Sequence, residues 1–271
     1  MKHISNYITK LQNGRKSERT IEIYTTQIKK FFEYVGKEET EVKPLDAVEW
    51  IGANENASSS TINIKINALC SYFEFLKDME IVTTNPFEKI DRPKIVNKEK
   101  EFLSVERVKS IISGIKNQRN KAMVVAYVTT GMRFSELANI TLAEYEEMLA
   151  SKTNYIKIVG KGNKERKVFF NPTAIKAINE YLKKRKNNNS EYLFTTVHGG
   201  KVDNANFDTS LKKFGVSAHC FRAACASIMS ENGVPVAVIR DVLGHSNIQT
   251  TNRYIKTSDV SIQNAVKGMV F

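Results

Sequence analysis

Four short stretches carry side chains that can hold an anion, move protons or attack an electrophile. In Leu243-Gly244-His245-Ser246-Asn247-Ile248-Gln249-Thr250-Thr251-Asn252-Arg253-Tyr254, a phenol follows an imidazole by nine positions. In Ala218-His219-Cys220-Phe221-Arg222, a histidine and an arginine sit three apart, on one face of a helix start. Arg133 lies between a glycine break, Thr130-Gly131, and an apolar helix beginning Phe134-Ser135-Glu136-Leu137. Lys161 projects from a turn between Gly160 and Gly162. Each stretch also has a bland explanation. Arg133 can pair with Glu136 as a structural ion pair, Lys161 can be a solvated charge, and the two histidines and Tyr254 can be merely exposed. His198, in the turn His198-Gly199-Gly200, is given no role. The spacings alone leave these alternatives open.

The elements that must position these groups are legible from periodicity and punctuation. Pro235 suits the first turn of a helix that carries Val238, Ile239, Val242 and Leu243, and Gly244 ends it as a residue free to adopt positive φ. Ile248 onward can form a second short helix returning the phenol towards that end. Ser104 can cap a helix reaching Ile115, and a strongly apolar helix is predicted from Asn120 to Val128, broken by Thr129-Thr130-Gly131. Residues 155–159 and 166–170 are β-rich, so the glycine-flanked Lys161, with Lys164 beside it, occupies a hairpin tip. It lacks the frame of a phosphate-binding P-loop. An amphipathic helix is predicted from Ala174 to Lys186.

The first third is different. Ser17 caps a helix whose stripe is Ile21, Tyr24, Ile28, Phe31, Phe32 and Val35, ended by Gly36; Leu45, Val48, Trp50 and Ile51 form a shorter apolar stretch; Ser58 caps a helix bearing Ile62, Ile66, Leu69, Phe73 and Leu76. Arg15, Lys16, Arg19, Lys29 and Lys30 fall off that first stripe. Periodicity then fades through Asn85-Pro86 and Arg92-Pro93-Lys94, and residues 94–101 read as a linker between a domain over 1–93 and one over 102–271. At 41% hydrophobic residues, both parts can bury a core.

A formal charge of +12 favours a polyanionic partner, because each phosphate neutralised releases condensed counterions. No apolar run approaches a membrane span, and the opening residues lack the apolar core of a signal peptide. Cys70, Cys220 and Cys225 show no metal or disulfide spacing, so a cytoplasmic setting is expected.

Taken in order, the boxes resemble the tyrosine recombinases, or phage-integrase family. Thr130-Gly131-Met132-Arg133-Phe134-Ser135-Glu136-Leu137 resembles the TG-x-R-x-SEL box, and Gly160 to Arg166 resembles the GKG-x-KER hairpin. His219 to Arg222 resembles H-x-x-R, with Phe221 and Ala223 where the family commonly has Leu and His; Leu243 to Tyr254 resembles LGH followed by TT-x-x-Y. The resemblance implies a mainly α fold with a small β-hairpin. It consists of an N-terminal helical core-binding (SAM-like) domain and a C-terminal catalytic domain in the compact, Xer-like form.

The resemblance also implies an active site of Arg133, Lys161, His219, Arg222, His245 and Tyr254. Tyr254 would attack a DNA phosphodiester, with His219 accepting its proton. Arg133, Arg222 and His245 would hold the non-bridging oxygens, and Lys161 would protonate the departing 5′-oxygen. The link is a 3′-phosphotyrosine, which stores the bond, so neither ATP nor metal is expected. The partner is double-stranded DNA, engaged by a homotetramer on paired sites that is monomeric in solution, in a bacterial or mobile-element context. The tail 258–271 is expected to dock on a neighbouring protomer. A type IB topoisomerase-like relaxing enzyme, or an inert DNA-binding protein of the same fold, remains an alternative.

Overall fold

The computed structural model describes residues 1–95, 102–160, 165–186, 189–245 and 247–252. Lys161, Lys164, Tyr254, most of the 94–101 linker and the tail 258–271 lie outside them. The chain divides into two compact units, Met1–Glu99 and Lys100–Phe271.

The first unit contains α1 (Ile4–Asn13), α2 (Glu18–Val35), α3 (Pro44–Gly52) and α4 (Ser59–Asp78). Ser17 and Ser58 cap α2 and α4 as expected, accepting from the Thr20 and Thr61 N–H groups at 3.2 Å. Gly36 ends α2 in the left-handed region. The helix α1, absent from the sequence reading, carries Ile4, Tyr7, Ile8 and Leu11 at helical spacing and buries Tyr7 and Leu11. The core is aromatic: Phe31 meets Trp50, Phe73 and Phe87 edge-on, at centroid distances of 6.0, 6.3 and 5.2 Å. Phe87 gives the Asn85-Pro86 turn its role. Asn85 accepts from the Phe87 N–H at 3.0 Å and donates to the Cys70 carbonyl at 3.0 Å, which turns the ring inwards. Only part of the apolar 45–51 stretch is inside: Trp50 is buried, whereas Leu45 and Val48 are exposed.

The second unit is built on α6 (Gln118–Thr130), which lies between α9 (Pro172–Leu182) and α11 (Ala218–Glu231). Ala122 to Tyr127 are all buried, so α6 is apolar all round as a helix enclosed by others must be. It begins two residues earlier than the sequence suggests, capped by Asn117, and runs through Thr130, so Gly131 alone ends it. Around it stand α5 (Val105–Gly114), capped by Ser104, and α7 (Phe134–Asn139), α8 (Leu142–Ser151), α10 (Asn204–Leu211), α12 (Val236–Leu243) and α13 (Ile248–Asn252). Strands β1 (Tyr155–Val159) and β2 (Glu165–Phe169) pair antiparallel, with Ile156 opposite Val168 and Ile158 opposite Arg166. Pro235 stands one residue outside α12, as its cap, rather than in its first turn; its extended ψ of 140° sets the entry. No described helix is long and apolar enough to cross a membrane.

Candidate active site

Two glycine-terminated helices set the site. Gly131 ends α6 at φ 61°, and a Cβ there would meet Leu243 Cδ2 at 2.7 Å and Cys225 Sγ at 3.2 Å. Both the backbone angle and the lack of space therefore require glycine. The turn it makes delivers Arg133 to the start of α7. Gly244 does the same for α12 at φ 63°, and delivers His245.

Arg222 comes from the N-terminal end of α11, one turn after Ala218, and is only 3% exposed. One guanidinium nitrogen donates to the Gly131 carbonyl and the other to the Leu243 carbonyl at 2.6 Å. It thereby ties the ends of α6 and α12 together. Burial and the neighbouring Arg133 lower its pKa to about 10, still charged at neutral pH. The two carbonyls take two of its five N–H groups. Arg133 is half-buried. It donates to Glu136 Oε1 at 2.9 Å and to the Gly244 carbonyl at 2.9 Å, so it joins α7 to the His245 turn. The bland ion pair to Glu136 exists, and it holds Arg133 beside Arg222 rather than removing it from the site.

Glu136 is itself 8% exposed and receives Arg166 from β2 at 2.8 Å on each oxygen. Burial alone would raise its carboxyl. Arg166 and Arg133, including the Arg133 N–H at 2.6 Å, override that and hold it down at about 2. His245 sits 2.9 Å, through Nδ1, from the hydroxyl of the fully buried Thr251. Burial, then Arg222, Arg133 and Arg166, push its pKa down to about 4, so the ring is neutral at pH 7. A Thr251 hydroxyl donating to Nδ1 leaves the ring proton on Nε2, the form that can donate to an anion.

Arg133, His219, Arg222 and His245 line one cavity of about 660 Å³, with Tyr127, Ser135, Asp208 and Thr250 among its other walls. His219 stands exposed at its rim. The structure thus gathers four of the six sequence-predicted residues; Lys161 and Tyr254 are the two outside the described residues. It leaves His198 exposed in its turn, away from that lining. Such a cavity suits a phosphate: two charged guanidiniums and a neutral imidazole face it. Among the described residues, no three His, Cys, Asp or Glu side chains converge as metal ligands.

Sequence reasoning passed over Arg166 and Thr251. Arg166 is in phase with the buried Val168 on β2, and an arginine on the inward face of a strand demands a partner. Thr251 gave no such signal, being one of two adjacent threonines.

Comparison with known proteins agrees with this architecture. Residues 101–260 match the phage integrase family, and residues 4–80 match the phage integrase N-terminal SAM-like domain. Tyrosine recombinase XerA of Pyrococcus horikoshii is 32% identical, over 97% of this chain and 92% of its own. Tyrosine recombinase XerD of Rickettsia bellii is 30% identical, over 94% and 93%. The Tn1549 transposon integrase, solved with circular intermediate DNA, has the same fold, with a TM-score of 0.72 over 98% of this chain and 99% of that one at 19% identity. With its ordered boxes, two-part fold and arginine-lined cavity, the chain belongs to the phage integrase family and is a tyrosine recombinase.

Proposed function

We propose that this recombinase cleaves and rejoins double-stranded DNA at specific sites through a 3′-phosphotyrosyl link to Tyr254. The observation that carries the proposal is the placement of Arg133 and Arg222 with His245 around one cavity. A five-coordinate phosphorus gathers negative charge on its non-bridging oxygens. Arg133 and Arg222 offset that charge there, and preorganised donors of this kind are each worth on the order of 3 kcal/mol. Neutral His245 adds an Nε2–H. A free phenol has a pKa near ~10, so Tyr254 needs an acceptor for its proton; His219 takes that role. Lys161 gives a proton to the departing 5′-oxygen. The hydroxyl it releases then reverses the reaction on the same or a partner strand.

The domain limits we favour are 1–93 and 102–271, joined by 94–101, with four protomers acting on paired sites in the cytoplasm of a bacterium or its mobile element. Residues 258–271 link one protomer to the next. Deleting 260–271 is expected to leave half-site binding near normal while weakening cooperative binding of a second protomer and blocking recombination. Equal cooperativity in gel shifts on whole sites would remove the linking role.

The deciding experiment is a nicked suicide duplex, whose cleaved end diffuses away and strands the covalent adduct. Tyr254→Phe removes one oxygen and no charge, so adduct should vanish while DNA affinity stays within a few-fold. An adduct that persists reassigns the nucleophile.

A further inference from the structure

We propose that Arg166 is a positioning residue of the recombination reaction, acting on the scissile phosphate through Glu136 and Arg133. The inference rests on the active-site reading above and adds a member that never touches DNA. Glu136 offers about four lone-pair positions, and all are used. Its Oε1 accepts from Arg133 Nη1 at 2.9 Å and Arg166 Nη1 at 2.8 Å. Its Oε2 accepts from the Arg133 N–H at 2.6 Å and Arg166 Nη2 at 2.8 Å. A carboxylate saturated in this way cannot rotate without losing a bond, so its hold on Arg133 has one direction. Arg166 supplies half of that constraint, and its planar fork does so with both bonds parallel.

The same guanidinium lies flat against Gly244. A Cβ at that glycine would fall 2.9 Å from Arg166 Cζ, Nε and Nη1. Arg133 grips the Gly244 carbonyl from its own side at 2.9 Å. The two anchors of the Arg133 side chain, Glu136 and the Gly244 carbonyl, therefore both adjoin the Arg166 guanidinium. That side chain is rooted in β2, opposite Ile158, on the strand leading directly out of residues 161–164 that carry Lys161. With 13% of its side chain exposed, Arg166 is enclosed where it stands, and it is not among the residues lining the 660 Å³ cavity. This is what separates a residue that aims Arg133 from one that grips the phosphate itself.

The test uses the full chain and two suicide duplexes. One carries an ordinary phosphodiester at the scissile position, the other a methylphosphonate, which lacks the negative oxygen that Arg133 offsets. Arg166→Ala is expected to slow adduct formation by about tenfold to a hundredfold on the diester, the scale of an ångström's misplacement, and by only about threefold or less on the methylphosphonate. Arg133→Ala combined with Arg166→Ala should be no slower than Arg133→Ala alone, because the second change acts only through the first. Arg166→Lys keeps the charge but loses the fork, and should fall between wild type and Arg166→Ala. It carries the same comparison should the alanine variant not fold. Equal losses on both substrates, or a double variant slower by the full Arg166 factor, would overturn the inference while leaving the active-site reading intact. An Arg133→Ala protein that cleaves the diester normally would overturn the active-site reading itself, and this one with it.

Discussion

Among the described residues, each unit of this recombinase buries one glutamate, and the two are used in opposite ways. In the first unit Glu39 is 3% exposed and is met by the Tyr72 hydroxyl and by His3 through both its N–H and, at 2.6 Å, Nδ1. Burial would raise its carboxyl, yet these hydrogen bonds lower it. The result ties the start of the chain to α4, within an aromatic core. In the second unit Glu136 is almost as buried, but its partners are two guanidiniums, one of which, Arg133, also grips the Gly244 carbonyl and lines the cavity. Burial and even hydrogen-bond count are similar. The difference is the charge of the partners and what they adjoin: around Glu39 the network closes on itself, whereas around Glu136 it opens onto a cavity. A buried carboxylate is available to an open site when the groups it orients still have donors to spare.

The strongest challenge to that contrast is to remove the groups Glu136 serves. Arg133→Ala and Arg222→Ala are each expected to lose cleavage by more than about a hundredfold, which is about 2.7 kcal/mol at ~1.36 kcal/mol per decade. Arg222→Ala should also lower stability, since the Gly131 and Leu243 carbonyls lose their donors. Single-turnover adduct formation measures the first effect and thermal melting the second. Cleavage within a few-fold of wild type in either variant would make the cavity structural.

Exchanging the perturbation between the two glutamates gives a smaller, crossed effect. Glu136→Ala should slow cleavage on the order of tenfold while DNA binding persists. Glu39→Ala should leave cleavage per folded molecule unchanged and cost about 1–3 kcal/mol of stability, because Tyr72 and His3 are left without their acceptor. The single tryptophan, Trp50, is in the first unit, so its fluorescence reads that unit's unfolding alone. If Glu39→Ala impaired catalysis as much as Glu136→Ala, the contrast would collapse.

The smallest effect separates the units by pH. The folded pKa of His245, about 4, lies below its ordinary 6.5, so its contribution to stability is complete above pH 6.5 and is lost as pH falls through 4. Glu136 is charged in the fold down to about 2, so its own contribution is lost mostly at lower pH, from 4.5 towards 2. Between pH 6.5 and 4 the second unit should therefore lose a few degrees of melting temperature, and His245→Gln should flatten that slope. A slope unchanged by the substitution would place the titrating group elsewhere.

Much of the scaffold was legible because it is written in short-range signals. Ser17, Ser58 and Ser104 cap helices by bonding to an N–H three residues on, so sequence spacing and geometry are the same fact. The stripe from Ile62 to Leu76 is buried throughout for the same reason. Where local signals competed, they misled by a residue or two. Thr129 and Thr130 look like breakers, but both hydroxyls bond back to carbonyls of the preceding turn and stay in α6. The helix α1 was legible in the same way, from Ile4, Tyr7, Ile8 and Leu11 at helical spacing, but its stripe spans only two turns and was passed over.

The sequence by itself determined which residue types stand at helix ends and in what order, and the resemblance of those ordered boxes to the tyrosine recombinases put Arg133, His219, Arg222 and His245 in one set with Lys161 and Tyr254. It carried no record of how Arg222 would be held, between carbonyls 91 and 21 residues away, or of Arg166 reaching Glu136 from 30 residues on. Those contacts depend on how α6, α7, α11, α12 and β2 pack. Local periodicity fixes the face a side chain occupies, whereas only tertiary packing fixes which distant carbonyl or carboxylate lies opposite it.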